Sequence, residues 1–157
     1  MFRKNNLSIF DAANFFLKIV DRDAGSTITP LKLQKILYYA QGYYLAYYDK
    51  ELFPEDFEAW AHGPANEAIY NKYKKYGFDS IPCPTDETIN ISDNICAFLS
   101  DIWQTFGIYD GKFLEEQTHK EEPWIKARKG CSIGERCYNI VTKESMKEFF
   151  KTVINDV

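Results

Sequence analysis

Thr29-Pro30-Leu31-Lys32-Leu33-Gln34-Lys35-Ile36-Leu37-Tyr38-Tyr39-Ala40-Gln41-Gly42-Tyr43-Tyr44-Leu45-Ala46-Tyr47-Tyr48-Asp49-Lys50 is the stretch that decides the fold. Threonine is a favoured N-cap because its hydroxyl accepts a backbone N–H of the first turn. Proline suits the next position, where its missing N–H is not needed. The stretch therefore predicts a helix over 30–48. On a wheel, Leu33, Ile36, Leu37, Ala40, Tyr43, Tyr44 and Tyr47 form one broad apolar face. Gln34, Tyr38, Gln41 and Leu45 form a second, mixed side, and Lys32, Lys35, Tyr39, Gly42 and Ala46 remain on the third. A helix apolar over most of its circumference belongs inside a bundle. Gly42 in its middle costs about 1 kcal/mol of helix propensity, so its presence predicts a close approach by another helix.

Outward from this helix, the other signals are mostly helical too. Ser8 with Asp11 makes a variant capping box, and Ile9, Ala12, Ala13, Phe16, Leu17 and Val20 recur at helical spacing, predicting a first helix at 8–22. Residues 49–56 read as a loop, and 57–62 as a short extended piece or a turn of helix. Gly63-Pro64 predicts the start of a third helix, with Ile69, Tyr70, Tyr73 and Tyr76 inward and Gly77 at its end. Pro82 and Pro84 make 78–91 a linker. Ser92 caps a fourth helix that ends at Gly107, and a short fifth spans 112–119. Pro123-Trp124 starts a sixth, 130–140 is irregular, and Thr142 starts a last helix with Met146, Phe149, Phe150 and Val153 inward. The expected fold is all-α: one domain over 1–157, a compact bundle of about seven helices around the 30–48 helix, with little or no β structure.

Composition narrows the function classes. The chain has 157 residues, 45% hydrophobic and 27% charged, the balance of a globular domain rather than a disordered or fibrous one. Its aromatic share is 17%, from 12 Phe, 11 Tyr and 3 Trp, which predicts a core of wired hydroxyls or an adhesive partner surface. A formal net charge of -4 argues against a general nucleic-acid binder. No run is long and apolar enough to span a bilayer. Asp11 and Asn14 interrupt any signal-peptide core. The expected location is the cytoplasm, and there Cys83, Cys96, Cys131 and Cys137 are expected as free thiols.

Few residues offer catalysis. The two histidines, His62 and His119, could join Glu122 and a cysteine on zinc, but no paired metal-ligand spacing is present. Cys131 or Cys137 with His119 could form a nucleophile pair, yet neither cysteine sits at an activating helix N-terminus. Glu55, Asp56 and Glu58 could hold a metal, or simply line a solvated loop. Lys72, Lys74 and Lys75 beside Tyr73 and Tyr76 could grip a single strand, but read more simply as the solvated flank of a core stripe. No cofactor is expected.

Three blocks together resemble a known family. The 29–42 stretch is similar to the opening signature of the Panacea domain, the SocA-like antitoxin family often described as phage-associated. Leu52-Phe53, Ala59-Trp60-Ala61-His62-Gly63-Pro64, Ile69-Tyr70 and Tyr73-Lys74-Lys75-Tyr76-Gly77 resemble its second block. Leu114-Glu115-Glu116-Gln117-Thr118-His119, then Pro123-Trp124 and Ala127-Arg128, resemble its third. Ala65-Asn66 departs from the usual valine after Gly-Pro. The resemblance spans roughly 8–129. It implies a helical antitoxin that neutralises a cognate toxin, encoded beside it, by direct protein–protein binding. The motif residues that would meet such a partner are Gln34, Lys35, Tyr38, Tyr39, Gln41, Trp60, His62, Thr118, His119 and Trp124. Each could equally wire the bundle. An adaptor that delivers a partner for proteolysis and a metal-dependent hydrolase are the alternative functions.

Overall fold

The computed structural model describes residues 5–85 and 90–155. Among them are seven α-helices, one 3-10 turn and three short strands. In helix α1 (Ile9–Ile19) both halves of the capping box form: Asp11 N–H donates to Ser8 Oγ at 3.1 Å, and Ser8 N–H to Asp11 Oδ2 at 2.9 Å. The helix ends earlier than its periodicity predicts. Val20 leaves helical geometry, and the Arg22 guanidinium turns back onto the Leu17 carbonyl at 2.7 Å.

Helix α2 (Pro30–Tyr48) starts as predicted, with Lys32 N–H on Thr29 Oγ1 at 3.2 Å. Residues 32–42 are all buried, the lysine-bearing side included. The helix packs against α1, and then against four later helices: α3 (Glu67–Tyr73), α4 (Asp93–Phe106), α5 (Gly111–Thr118) and α7 (Lys143–Asn155). Gly42 explains the closeness of the α7 contact: an added Cβ would fall on the Phe150 ring. Toward its C-terminal end the cover stops. Tyr47 is 59% exposed, although its place on the apolar face predicts burial.

The chain is mainly helical, and its β structure is small but present. Strand β1 (Phe57–Trp60) pairs antiparallel with β2 (Gly63–Ala65) and with β3 (Ile140–Val141), giving the order β2-β1-β3. Gly63-Pro64 therefore does not open a helix. Gly63 sits at φ 101, left-handed backbone that closes the tight β1–β2 connection. Pro64 costs little on a strand that lies at the sheet edge. Helix α3 starts after Asn66, whose Oδ1 accepts Ile69 N–H at 3.0 Å. Beyond it the 3-10 turn Lys74–Tyr76 ends at Gly77, φ 58.

The expected linker is partly tied down: Ile81 N–H reaches the Ile28 carbonyl at 2.8 Å and Arg22 holds the Ile81 carbonyl at 2.9 Å. Its residues 86–89 lie outside the described residues, as do 1–4 and 156–157 of the expected 1–157 domain. Asp110 caps α5 and Thr142 caps α7, while α6 (Glu122–Ala127) carries Pro123 in its first turn. The free-thiol expectation is corrected for one pair: Cys131 and Cys137 are joined as a disulfide, with Cα atoms 6.1 Å apart. Both lie in a turn that the Arg128 side chain gathers by bonding the Ser132 and Glu135 carbonyls. Cys83 and Cys96 are free. No helix among the described residues is long and apolar enough to cross a membrane.

Candidate functional site

The three sequence blocks converge where the N-terminal half of α2 meets the β1–β2 hairpin and the α5–α6 junction. Gln34 and Gln41, seven residues apart, do the same job at two places. The Gln34 amide pairs with the backbone of Asn66, donating to its carbonyl at 2.8 Å and accepting its N–H at 2.9 Å. The Gln41 amide donates to the Phe53 carbonyl at 2.7 Å and accepts Leu52 N–H at 2.7 Å. Each side chain satisfies backbone groups that are buried away from water. Both face the segment that carries the second block.

Between them lies Lys35, 1% exposed, with Nζ donating to the Pro64 carbonyl at 3.1 Å. Burial pulls its pKa down to about 7, partly opposed by the Glu115 charge. Glu115 is buried at the floor of the hairpin and accepts from His62 Nδ1 at 3.1 Å and Lys112 Nζ at 2.8 Å. Burial alone would raise its carboxyl. The Lys112 hydrogen bond and the charges of His62, Lys112 and Lys35 outweigh that and leave it lowered. The Thr118 hydroxyl, fully buried, donates to the Glu115 carbonyl at 2.7 Å and touches the face of Gly63, where a Cβ would lie only 2.7 Å from Oγ1.

A second wired group sits behind α6. Trp124 Nε1–H donates to the Trp60 carbonyl at 2.8 Å, and the His119 ring stacks on Trp124 at 4.2 Å. Burial lowers the His119 pKa, and its Nε2 is enclosed without a hydrogen-bond partner. The Arg128 guanidinium reaches the Ala59 carbonyl at 3.0 Å and lies over Trp124. Deeper, Tyr39 O–H donates to Glu121 Oε1 at 2.9 Å. Burial raises the Glu121 carboxyl to about 7. Burial also raises the Tyr39 and Tyr38 hydroxyls, and the Tyr38 hydroxyl has no hydrogen-bond partner.

The predicted motif residues thus divide. Gln34, Lys35, Tyr38, Tyr39, Gln41 and Thr118 are buried and hold elements together. Trp60, His119 and Trp124 are half-buried, and the His62 side chain is 80% exposed. The sequence reading missed Asn66, Glu115, Glu121 and Arg128 as wiring residues. For Asn66 a signal existed: asparagine before Glu67 and a periodic run is an N-cap pattern. Among the described residues, no three His, Cys, Asp or Glu side chains converge on a common metal position. Glu55, Asp56 and Glu58 have separate partners: Ile9 N–H, Lys143 and Trp60 Nε1. Cys131 and Cys137, being joined, offer no thiolate to His119.

A family model for the SocA-like antitoxin, Panacea domain matches residues 33–125. The chain belongs to the Panacea family. That span runs from the start of the buried part of α2 to the middle of α6, so it includes both glutamine clamps, the hairpin and the histidine–tryptophan stack. No curated protein and no solved structure matches the chain.

Proposed function

We propose that this Panacea-domain chain is the antitoxin of a toxin–antitoxin pair, acts in the cytoplasm as a single folded unit, and neutralises its toxin by direct binding. The observation that carries the reading is the family match over 33–125. The wiring of the site supports it. Most polar groups of the motif residues bond backbone of neighbouring elements, which suits a rigid binding module better than a reaction centre. Exposed His62 and half-buried Trp60, His119 and Trp124 form the part of the motif surface that a partner can touch. Tryptophan at such a position is a common binding hot spot. The partner is a protein encoded by an adjacent gene.

The test is co-expression with the product of the neighbouring gene. Growth arrest by that product alone, relieved by this chain, is the expected result. A harmless neighbour, or one that stays lethal beside the soluble chain, would refute the reading. Measuring the neighbour's half-life in the same cells separates blocking, which leaves it unchanged, from delivery to a protease, which shortens it.

A further inference from the structure

The C-terminal half of α2 and the facing side of α4 enclose a groove of about 340 Å³. It is lined by Tyr43, Tyr47, Tyr48, Phe98 and Phe106, together with the exposed Asp101. Tyr43 stacks on Tyr47 at 6.4 Å, and Tyr48 meets Phe98 edge-on at 6.1 Å. Tyr47 and Tyr48 are 59% and 57% exposed.

Several rings elsewhere are covered by the chain's own lysines and arginines, although exposed Phe78, Tyr109 and Phe113 are not. Lys32 covers Trp103, Lys74 covers Tyr70, Lys75 covers Tyr76 and Arg136 bridges Trp60 and Tyr138. None of the groove rings carries one, and Asp101 makes no ion pair among the described residues. Ring faces carry negative potential, and a carboxylate beside them adds a full charge. Together they favour a cation of low hydration cost. A guanidinium fits best, because it is planar, weakly hydrated, stacks on rings and bonds a carboxylate through its fork. Nucleic acid or an anionic lipid surface would instead bring phosphates against Asp101.

We propose that this groove receives an arginine side chain from a partner protein. The partner's identity rests on the antitoxin reading, but the recognition chemistry does not, so the test uses no toxin. The full chain, with isotope-labelled tyrosine and phenylalanine rings, is titrated by NMR with a Gly-Arg-Gly-Arg-Gly peptide. The control is the same peptide with citrulline, the neutral isostere, in place of arginine. Saturable shifts confined to Tyr43, Tyr47, Tyr48 and Phe98 are expected. The citrulline peptide, Asp101→Asn and Tyr47→Ala should each weaken binding by about tenfold. Asp101→Asn preserves shape at an exposed site and stays informative if Tyr47→Ala disturbs the helix. Equal binding of the citrulline peptide, or no saturable shift at the groove, would overturn the proposal. Either result would leave the antitoxin reading to its own growth experiment.

Discussion

The two ends of α2 carry similar side chains and use them differently. Over its first two-thirds, Gln34, Lys35 and Gln41 point into the protein and bond backbone carbonyls before, within and just after the hairpin. At its C-terminal end, Tyr47 and Tyr48 make ring contacts but no hydrogen bond among the described residues, and stand half in water. Tyr39 and Tyr43 mark the crossover: Tyr39 is sealed and bonded to Glu121, whereas Tyr43 is half-buried on the groove. The lesson is that aromatic and polar richness in one helix has two causes. Buried polar groups are retained where they close a backbone account that nothing else closes. Exposed rings, which add little to stability when no element covers them, remain accessible to a partner.

The largest effect should come from Gly63→Val. Gly63 is left-handed, and a Cβ there would meet both the Thr118 hydroxyl and the Lys35 side chain. Strain and overpacking add, so a loss of about 4 kcal/mol or more is expected, read as insolubility or a collapsed melting midpoint. Normal stability would mean that the wired end is looser than described.

A smaller effect separates the ends by pH. Glu121 keeps its proton in the folded chain up to about 7, against 4.5 ordinarily. The folded state therefore binds more protons than the unfolded between those values, and this group makes stability fall as pH rises through that window. Lys35 works oppositely. Its folded pKa is about 7 against 10.5, so above 7 the unfolded state binds more protons and stability rises with pH. Denaturant titrations across pH should show the falling limb flattened in Glu121→Gln and the rising limb flattened in Lys35→Met. Unchanged limbs in both variants would contradict the burial of these groups. Substitutions at Tyr47 should leave both limbs as they are.

Much of the helical fold was legible in the sequence; the division of α2 was not, and the misses have identifiable causes. The start of α2, the packing role of Gly42 and the capping box of α1 follow from local rules that act within a turn or at one contact. The strand at 63–65 was hidden because Gly-Pro fits both a helix start and a tight hairpin, and only pairing with the distant 57–60 segment chooses between them. The burial of Lys35 was hidden for a similar reason. A wheel shows which side a residue takes, not that the hairpin and α5 will cover that side. The Cys131–Cys137 pairing depends on a turn built by Arg128, whose role no spacing announces. Conversely, the wheel placed Tyr47 inside because it cannot show where neighbouring elements end.

The claim that the wired part of α2 carries the fold and its exposed end does not is tested most directly by one thermal-unfolding comparison. Gln34→Ala strands a buried N–H and a carbonyl of Asn66. It should cost about 2–4 kcal/mol and lower the midpoint by about 5–10 °C. Tyr47→Ala removes a larger side chain from a surface site and should stay within about 0.5 kcal/mol, or about 1–2 °C. Equal losses, or a larger loss at Tyr47 than at Gln34, would contradict the account.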